Sequence, residues 1–213
     1  MLENLLFRFP IVVLALTCHE FAHGWVAYKH GDDTAKNAGR LTFNPLAHLD
    51  PVGTFMLLFL PFGWAKPVPV NPGMMANPRK DLMKVSAAGP LTNIVLGILF
   101  GLAYRLLILQ GGVSDSGYIA QELYLGTVIN FGLAFFNLLP IPPLDGSKIL
   151  LGFLPPERLP AYSRVVRHVP AAFGALLLIG FVSRIPLLSM ILNPLWKPFF
   201  GFWQFVVFGG KVF

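Results

Sequence analysis

Hydrophobic and polar positions divide the chain into long apolar runs separated by short polar stretches rich in proline and glycine. The first run extends from Leu5 to about Lys29, and about 25 residues of helix cross a 30 Å hydrocarbon core with some tilt. Val52 to Trp64 is apolar again but only 13 residues long. At 1.5 Å per residue it reaches about 20 Å, too short to span. Lys66-Pro67-Val68-Pro69-Val70-Asn71-Pro72 alternates, and its prolines exclude a helix, so an extended edge strand is predicted there. A second span is predicted from Leu82 to about Leu109 and a third from Tyr118 to Leu139. Within the second, Gly89, Gly97 and Gly101 fall at multiples of four residues, a spacing that lets neighbouring helices approach closely. The third runs into Asn137-Leu138-Leu139-Pro140-Ile141-Pro142-Pro143-Leu144-Asp145-Gly146, where prolines break the helix. Past a basic loop at residues 155–168, Val169–Val182 and Ile185–Phe208 are apolar and form one or two C-terminal membrane helices.

Composition agrees with this division. The 213 residues are 55% hydrophobic and 12% charged, with a mean hydropathy of +0.65, whereas a soluble domain carries about 25% charged residues. The predicted class is an all-α polytopic membrane protein lying in the lipid bilayer, with residues 1–155 as its core and 156–213 as C-terminal membrane helices of the same domain. The net charge of +6 sits in the loops between apolar runs, so it reads as a topology signal and not as a nucleic-acid surface. Cys18 is the single cysteine, so no intrachain disulfide can form.

The first run carries His19-Glu20-Phe21-Ala22-His23. Four residues of helix turn by about 400° and rise about 6 Å, which sets both imidazoles on one face. They can share one metal ion, with Glu20 acting beside it on a water. A catalytic zinc takes three protein ligands plus that water. Broken backbone at membrane depth is tolerated only against protein or a water-filled cavity, which makes Asp145 the candidate third ligand. Topology supports it. If Val52–Trp64 dips in and returns, the second span leaves the side on which the first ends and the third comes back to it. Asp145 then emerges beside the histidines. Lys29, Lys36, Arg40, Lys66, Arg79, Lys80, Lys84, Lys148, Arg158, Arg164 and Arg167 all fall on that side, against Arg8 and Arg105 on the other. By the positive-inside rule the site faces the cytoplasmic side of the cell membrane. His48 and Asp50 are weaker ligand candidates and read better as turn residues.

Three motifs, His19-Glu20-Phe21-Ala22-His23, Gly89-Pro90-Leu91-Thr92-Asn93 and Asn137 to Gly146, make the chain resemble the site-2 protease family of intramembrane metalloproteases. With Phe43–Gly53 and Ala65–Pro72 they cover about residues 10 to 155. The resemblance implies a three-helix catalytic core in which His19, His23 and Asp145 bind Zn2+. It also implies that Asn137 lies near the metal and binds substrate or stabilises the oxyanion. The expected form is a minimal one without a PDZ or CBS domain, acting on transmembrane protein substrates. Val68, Val70 and Asn71 are candidates for holding an unwound substrate by strand addition. Asn93 is a candidate either for substrate binding or for supporting the metal site from the neighbouring helix. Two other readings use the same residues: a catalytically inactive membrane binding protein, and a membrane metal transporter. A soluble zinc peptidase is excluded by composition.

Overall fold

A computed structural model describes residues 2–59, 63–110, 112, 114 and 117–209. Part of the predicted Gln110–Gly117 loop therefore lies outside the described residues. Helix α1 (Leu2–Lys29) carries the two histidines and Glu20. Its end leads into a short α2 (Thr34–Asn37) and then α3 (Pro51–Phe59). Asp50 begins α3 by accepting a hydrogen bond from the Gly53 amide at 2.8 Å, the usual service of an N-terminal carboxylate.

The segment around α3 folds back. Leu49 and Ala65 form an antiparallel bridge, and the Lys66 amide donates to the His48 carbonyl at 2.8 Å. A Cβ on Gly53 would strike the Trp64 carbonyl, so the entering and leaving chains are in contact there too. A segment whose ends meet has not crossed, as its length requires. The chain beyond it, residues 66–71, is extended but makes no strand ladder among the described residues; the single bridge at Ala65 is its only β pairing. Pro67 and Pro69 supply no amide, and this is why the expected edge strand stays a lone extended chain.

Helix α4 (Pro78–Tyr104) starts with proline at its first position, where no donor is lost. A π-helical turn follows at Arg105–Gln110. Helix α5 (Tyr118–Leu138) returns antiparallel to it. The two pack by exchanging rings for glycines: a Cβ on Gly97 of α4 would meet the Phe131 ring at 2.9 Å, and one on Gly126 of α5 would meet Phe100 at 2.5 Å. In a bilayer such close approach replaces the hydrophobic drive that water would supply.

After the proline-rich break, α6 (Asp145–Phe153) turns back beneath the end of α5. Gly146 lies against the carbonyls of Leu138 and Leu139, where no side chain fits. Helix α7 (Leu159–Val166) and helix α8 (Val169–Ser183) lead to α9 (Leu187–Phe208). Among the described residues four stretches are long and apolar enough to cross a bilayer: Arg8–Lys29, Pro78–Ile108, Tyr118–Leu138 and Pro156–Ser183. Helix α9 lays a line of rings on α4 and α5. Trp203 stacks on Phe131 at 5.2 Å, Trp196 meets Phe135 at 5.4 Å, and Phe208 meets Tyr104 at 5.5 Å.

Candidate metal centre

His19 and His23 are buried on the inner face of α1, and α6 brings Asp145 to them from the far end of the sequence. Asp145 Oδ2 lies 3.2 Å from His19 Nε2 and 3.2 Å from His23 Nε2, and the two Nε2 atoms are 3.0 Å apart. The hydrogens of both rings can be placed. His23 Nδ1 is 2.7 Å from the Val85 carbonyl, which can only accept, so Nδ1 carries the hydrogen. His19 Nδ1 is 2.6 Å from Asn93 Oδ1. Asn93 has its amide nitrogen turned the other way, donating to the Asn130 Oδ1 at 3.0 Å and to the Ala15 carbonyl at 3.2 Å. In the neutral rings both Nε2 atoms therefore present lone pairs to each other and to a carboxylate oxygen, the form in which histidine binds a metal.

Three such acceptors about 3 Å apart form a donor set that a metal cation can fill. The spacing is a few tenths of an ångström tighter than a tetrahedral zinc sets. Donors at 2.0–2.2 Å from a tetrahedral zinc stand about 3.3–3.6 Å from one another, against the 3.0 and 3.2 Å found here. The opposing wall is Gly89 of α4. A Cβ built there would stand 2.6 Å from His19 Nε2 and 2.6 Å from His23 Nε2, so glycine keeps open the space beside the donors. Among the described residues this is the one group of histidine, cysteine and acidic side chains able to hold a metal.

Pro90 lies inside α4, next to Gly89. In the interior of a helix its ring removes a donor and crowds the carbonyl four residues earlier, here that of Ser86. The adjacent carbonyl, that of Val85, is the one that meets His23. Outer hydrogen bonds of this kind fix the tautomer and orientation of a metal-binding histidine.

Glu20 lies about 60° around α1 from His23. Its Oε2 accepts the Val68 amide hydrogen at 2.8 Å. Val68 itself is buried, with Cγ1 3.3 Å from where a Cβ on Gly24 would be, one turn beyond Glu20. Val70 packs against Ala27, Met75 and Val85. Asn71 accepts the Gly73 amide on its own side chain at 3.0 Å and donates its amide to Asp32 Oδ2 at 2.6 Å. Burial disfavours the charge on Asp32, but hydrogen bonds from Thr34 and from the Asn71 amide together outweigh it and hold its carboxyl below the usual range.

Asn137 is half-buried on the last turn of α5, its amide donating to the Leu133 carbonyl at 3.0 Å, and no hydrogen bond ties it to the three donors. Asn93, expected to bind substrate or to support the metal site, is fully buried with both ends of its amide engaged behind His19. His48 stands outside the cluster, with Nε2 2.8 Å from the Thr42 carbonyl. Sequence reasoning missed Val85, Asn130 and the metal-side role of Gly89. Asn130 had a signal, a second amide inside an apolar span. A backbone carbonyl such as that of Val85 has none.

Residues 8–111 and 102–180 match the model of Peptidase family M50. The chain belongs to that family. Among its relatives, YwhC of Bacillus subtilis is 43% identical over 151 residues, which are 68% of this chain and 68% of that protein. Rip2 of Mycobacterium tuberculosis (strain Erdman) is 34% identical over 157 residues, covering 68% of this chain and 56% of Rip2. MJ0392 of Methanocaldococcus jannaschii is 26% identical over 147 residues, 34% of its length. All three carry zinc metalloprotease names. No solved structure matches the chain. M50 membership and the donor set agree on a zinc metalloprotease of the site-2 type, built into a multi-pass membrane protein.

Proposed function

We propose that this M50 protein cleaves peptide bonds in or near the transmembrane segments of membrane-protein substrates, a regulated intramembrane proteolysis, from a site toward the cytoplasmic side of the cell membrane. The observation that carries the reading is the burial of the His19, His23 and Asp145 donors, beside Glu20, among helices able to span a bilayer. The excess of basic residues at that end supports the orientation.

Each group has one task. His19, His23 and Asp145 hold the zinc, with Asn93 and the Val85 carbonyl fixing the rings. Zinc, once bound, polarises the scissile carbonyl and lowers the pKa of a water to about 7. Glu20 takes the proton from the attacking water and hands it to the leaving nitrogen. Asn137 turns its amide from the Leu133 carbonyl to the developing oxyanion, a donor whose loss costs about 3 kcal/mol in comparable sites.

A helical substrate hides its carbonyls in hydrogen bonds, so the cleaved segment must be unwound. Residues 66–71 can receive it. Val68 and Val70 turn their side chains inward, so contact falls to the main chain. The amides of Lys66, Val68 and Asn71 are already engaged, which leaves that of Val70 as the donor within this stretch. The deciding experiment compares wild type with Glu20→Gln on a single-span substrate in detergent. The variant keeps about one zinc per chain and loses cleavage; retained turnover removes Glu20 from the base role.

A further inference from the structure

Arg40 lies in the loop after α2 and is only 7% exposed. Burying a guanidinium without an anion is costly, and no carboxylate of the described residues forms an ion pair with it. Its Nε is buried with no partner among those residues. What Arg40 does hold is main chain. Nη2 donates to the Lys66 carbonyl at 2.6 Å and Nη1 to the Pro67 carbonyl at 3.3 Å. Those are the two carbonyls immediately before the Val68 amide, which donates to Glu20 Oε2 at 2.8 Å.

The surrounding geometry leaves this job to Arg40. An extended chain without a ladder has little intrinsic hold on its own position. Pro67 and Pro69 cannot donate, so the stretch is tethered only at intervals. Upstream lies the Lys66 amide on the His48 carbonyl, and downstream the Asn71 amide on Asp32. Between them the chain must place one N–H on one carboxylate oxygen while Val68 packs over Gly24. A planar fork gripping two successive carbonyls sets both the position and the rotation of the chain, which a single point charge would not do.

We propose that Arg40 is a positioning residue for Glu20: its buried guanidinium grips the Lys66 and Pro67 carbonyls and so fixes the Val68 amide on the Glu20 carboxylate. With Oε2 committed to Val68, the carboxylate cannot rotate freely, and Oε1 is the oxygen presented to the proton in flight. This rests on the base role given to Glu20 above, and the experiment separates the two.

The test uses the full chain in detergent, as wild type, Arg40→Ala and Arg40→Lys, with three readouts. The first is metal: zinc per chain and the visible spectrum of the Co2+-loaded protein. The second is amide exchange read on a peptide covering residues 66–70. Because residues 67 and 69 are proline, it reports Val68 and Val70 once its N-terminal amide has back-exchanged. The third is cleavage of a single-span substrate. Arg40→Ala is expected to keep zinc and the Co2+ spectrum, to raise exchange in that peptide about tenfold, as for one lost hydrogen bond, and to lower kcat with KM little changed. Arg40→Lys, which can still hold one carbonyl, recovers part of the protection and of kcat. Unchanged exchange in a zinc-loaded Arg40→Ala overturns the proposal, and so does raised exchange with full kcat. If Arg40→Ala fails to fold, Arg40→Lys decides by the same two signs. A wild type that protects the peptide, binds zinc and cleaves nothing counts against the proteolytic reading and leaves the Arg40 contact standing.

Discussion

The two halves of α4 use the same device for opposite ends. Toward its start, Gly89 faces His19 and His23 and the space beside it stays open. Two turns on, the space beside Gly97 is filled by the Phe131 ring, and at Gly101 Val207 of α9 closes in. The first half is lined by polar groups with defined hydrogen bonds: His23 donates to the Val85 carbonyl, His19 donates to Asn93 Oδ1, and the Asn93 amide donates to Asn130 Oδ1. The second half is rings and aliphatic groups. A stripe of small residues thus says that something comes close, and not what. At Gly89 the neighbour is a metal's donor set, and at Gly97 it is packing.

Alanine at the two glycines should break the comparison most sharply. Gly89→Ala puts a methyl 2.6 Å from both donor nitrogens. Bound zinc is expected to fall from about one per chain to near none, as read by metal analysis of the purified protein. Gly97→Ala meets a ring at 2.9 Å, which should lower stability by about 1–3 kcal/mol through overpacking while zinc stays stoichiometric. A Gly89→Ala protein that still holds full zinc would mean that α4 does not bound the metal site.

Much of this was legible in the chain, and the reasons differ from residue to residue. His19 and His23 show themselves because helical spacing fixes their common face. Asp145 was reachable by counting crossings, since a segment as short as Val52–Trp64 cannot span, and the structure brings its ends together at Leu49 and Ala65. Gly89 was visible as a small residue, but spacing carries no information about what occupies the space. The Val85 carbonyl was invisible, because backbone acceptors are the same at every position. Arg40 was misleading: counted as one more loop charge that sets topology, it is in fact buried against two carbonyls. Helix α9 was ambiguous because prolines and rings interrupt its apolar pattern; its ring contacts with α4 and α5 show what it packs on, which periodicity could not.

The polar half should also respond in steps, not all at once. Asn93→Ala leaves His19 Nδ1 without its acceptor and Asn130 without its donor. Loss of such an orienting partner typically weakens metal affinity by about 10–100-fold. Zinc competition against a chelator of known affinity would measure it. The expected result is weaker binding with the helical content kept. Affinity equal to wild type would show that α1 packing alone orients His19, and would shrink the polar network to a structural filler.

The smallest effect lies at the edge of the polar half, and it depends on pH in a way that ring packing cannot. Asp32 accepts the Thr34 amide at 3.0 Å and the Asn71 amide at 2.6 Å, and so ties the extended stretch to the loop after α1. These bonds hold its carboxyl below the usual range in spite of burial. A depressed carboxyl contributes stability that is fully present above its unfolded pKa, about 3.9, and that is lost as pH falls through the folded value. Asp32→Asn keeps the shape and removes the charge. At neutral pH the variant should be less stable than wild type by about 1 kcal/mol, the usual net contribution of one hydrogen bond. In acid the two should converge, because wild type has then lost the same charge. Thermal unfolding of both proteins in detergent at the two pH values gives the comparison. An equal gap in acid and at neutrality would assign the Asp32 contribution to shape, leaving the polar half of α4 and its loops as insensitive to pH as the ring-packed half.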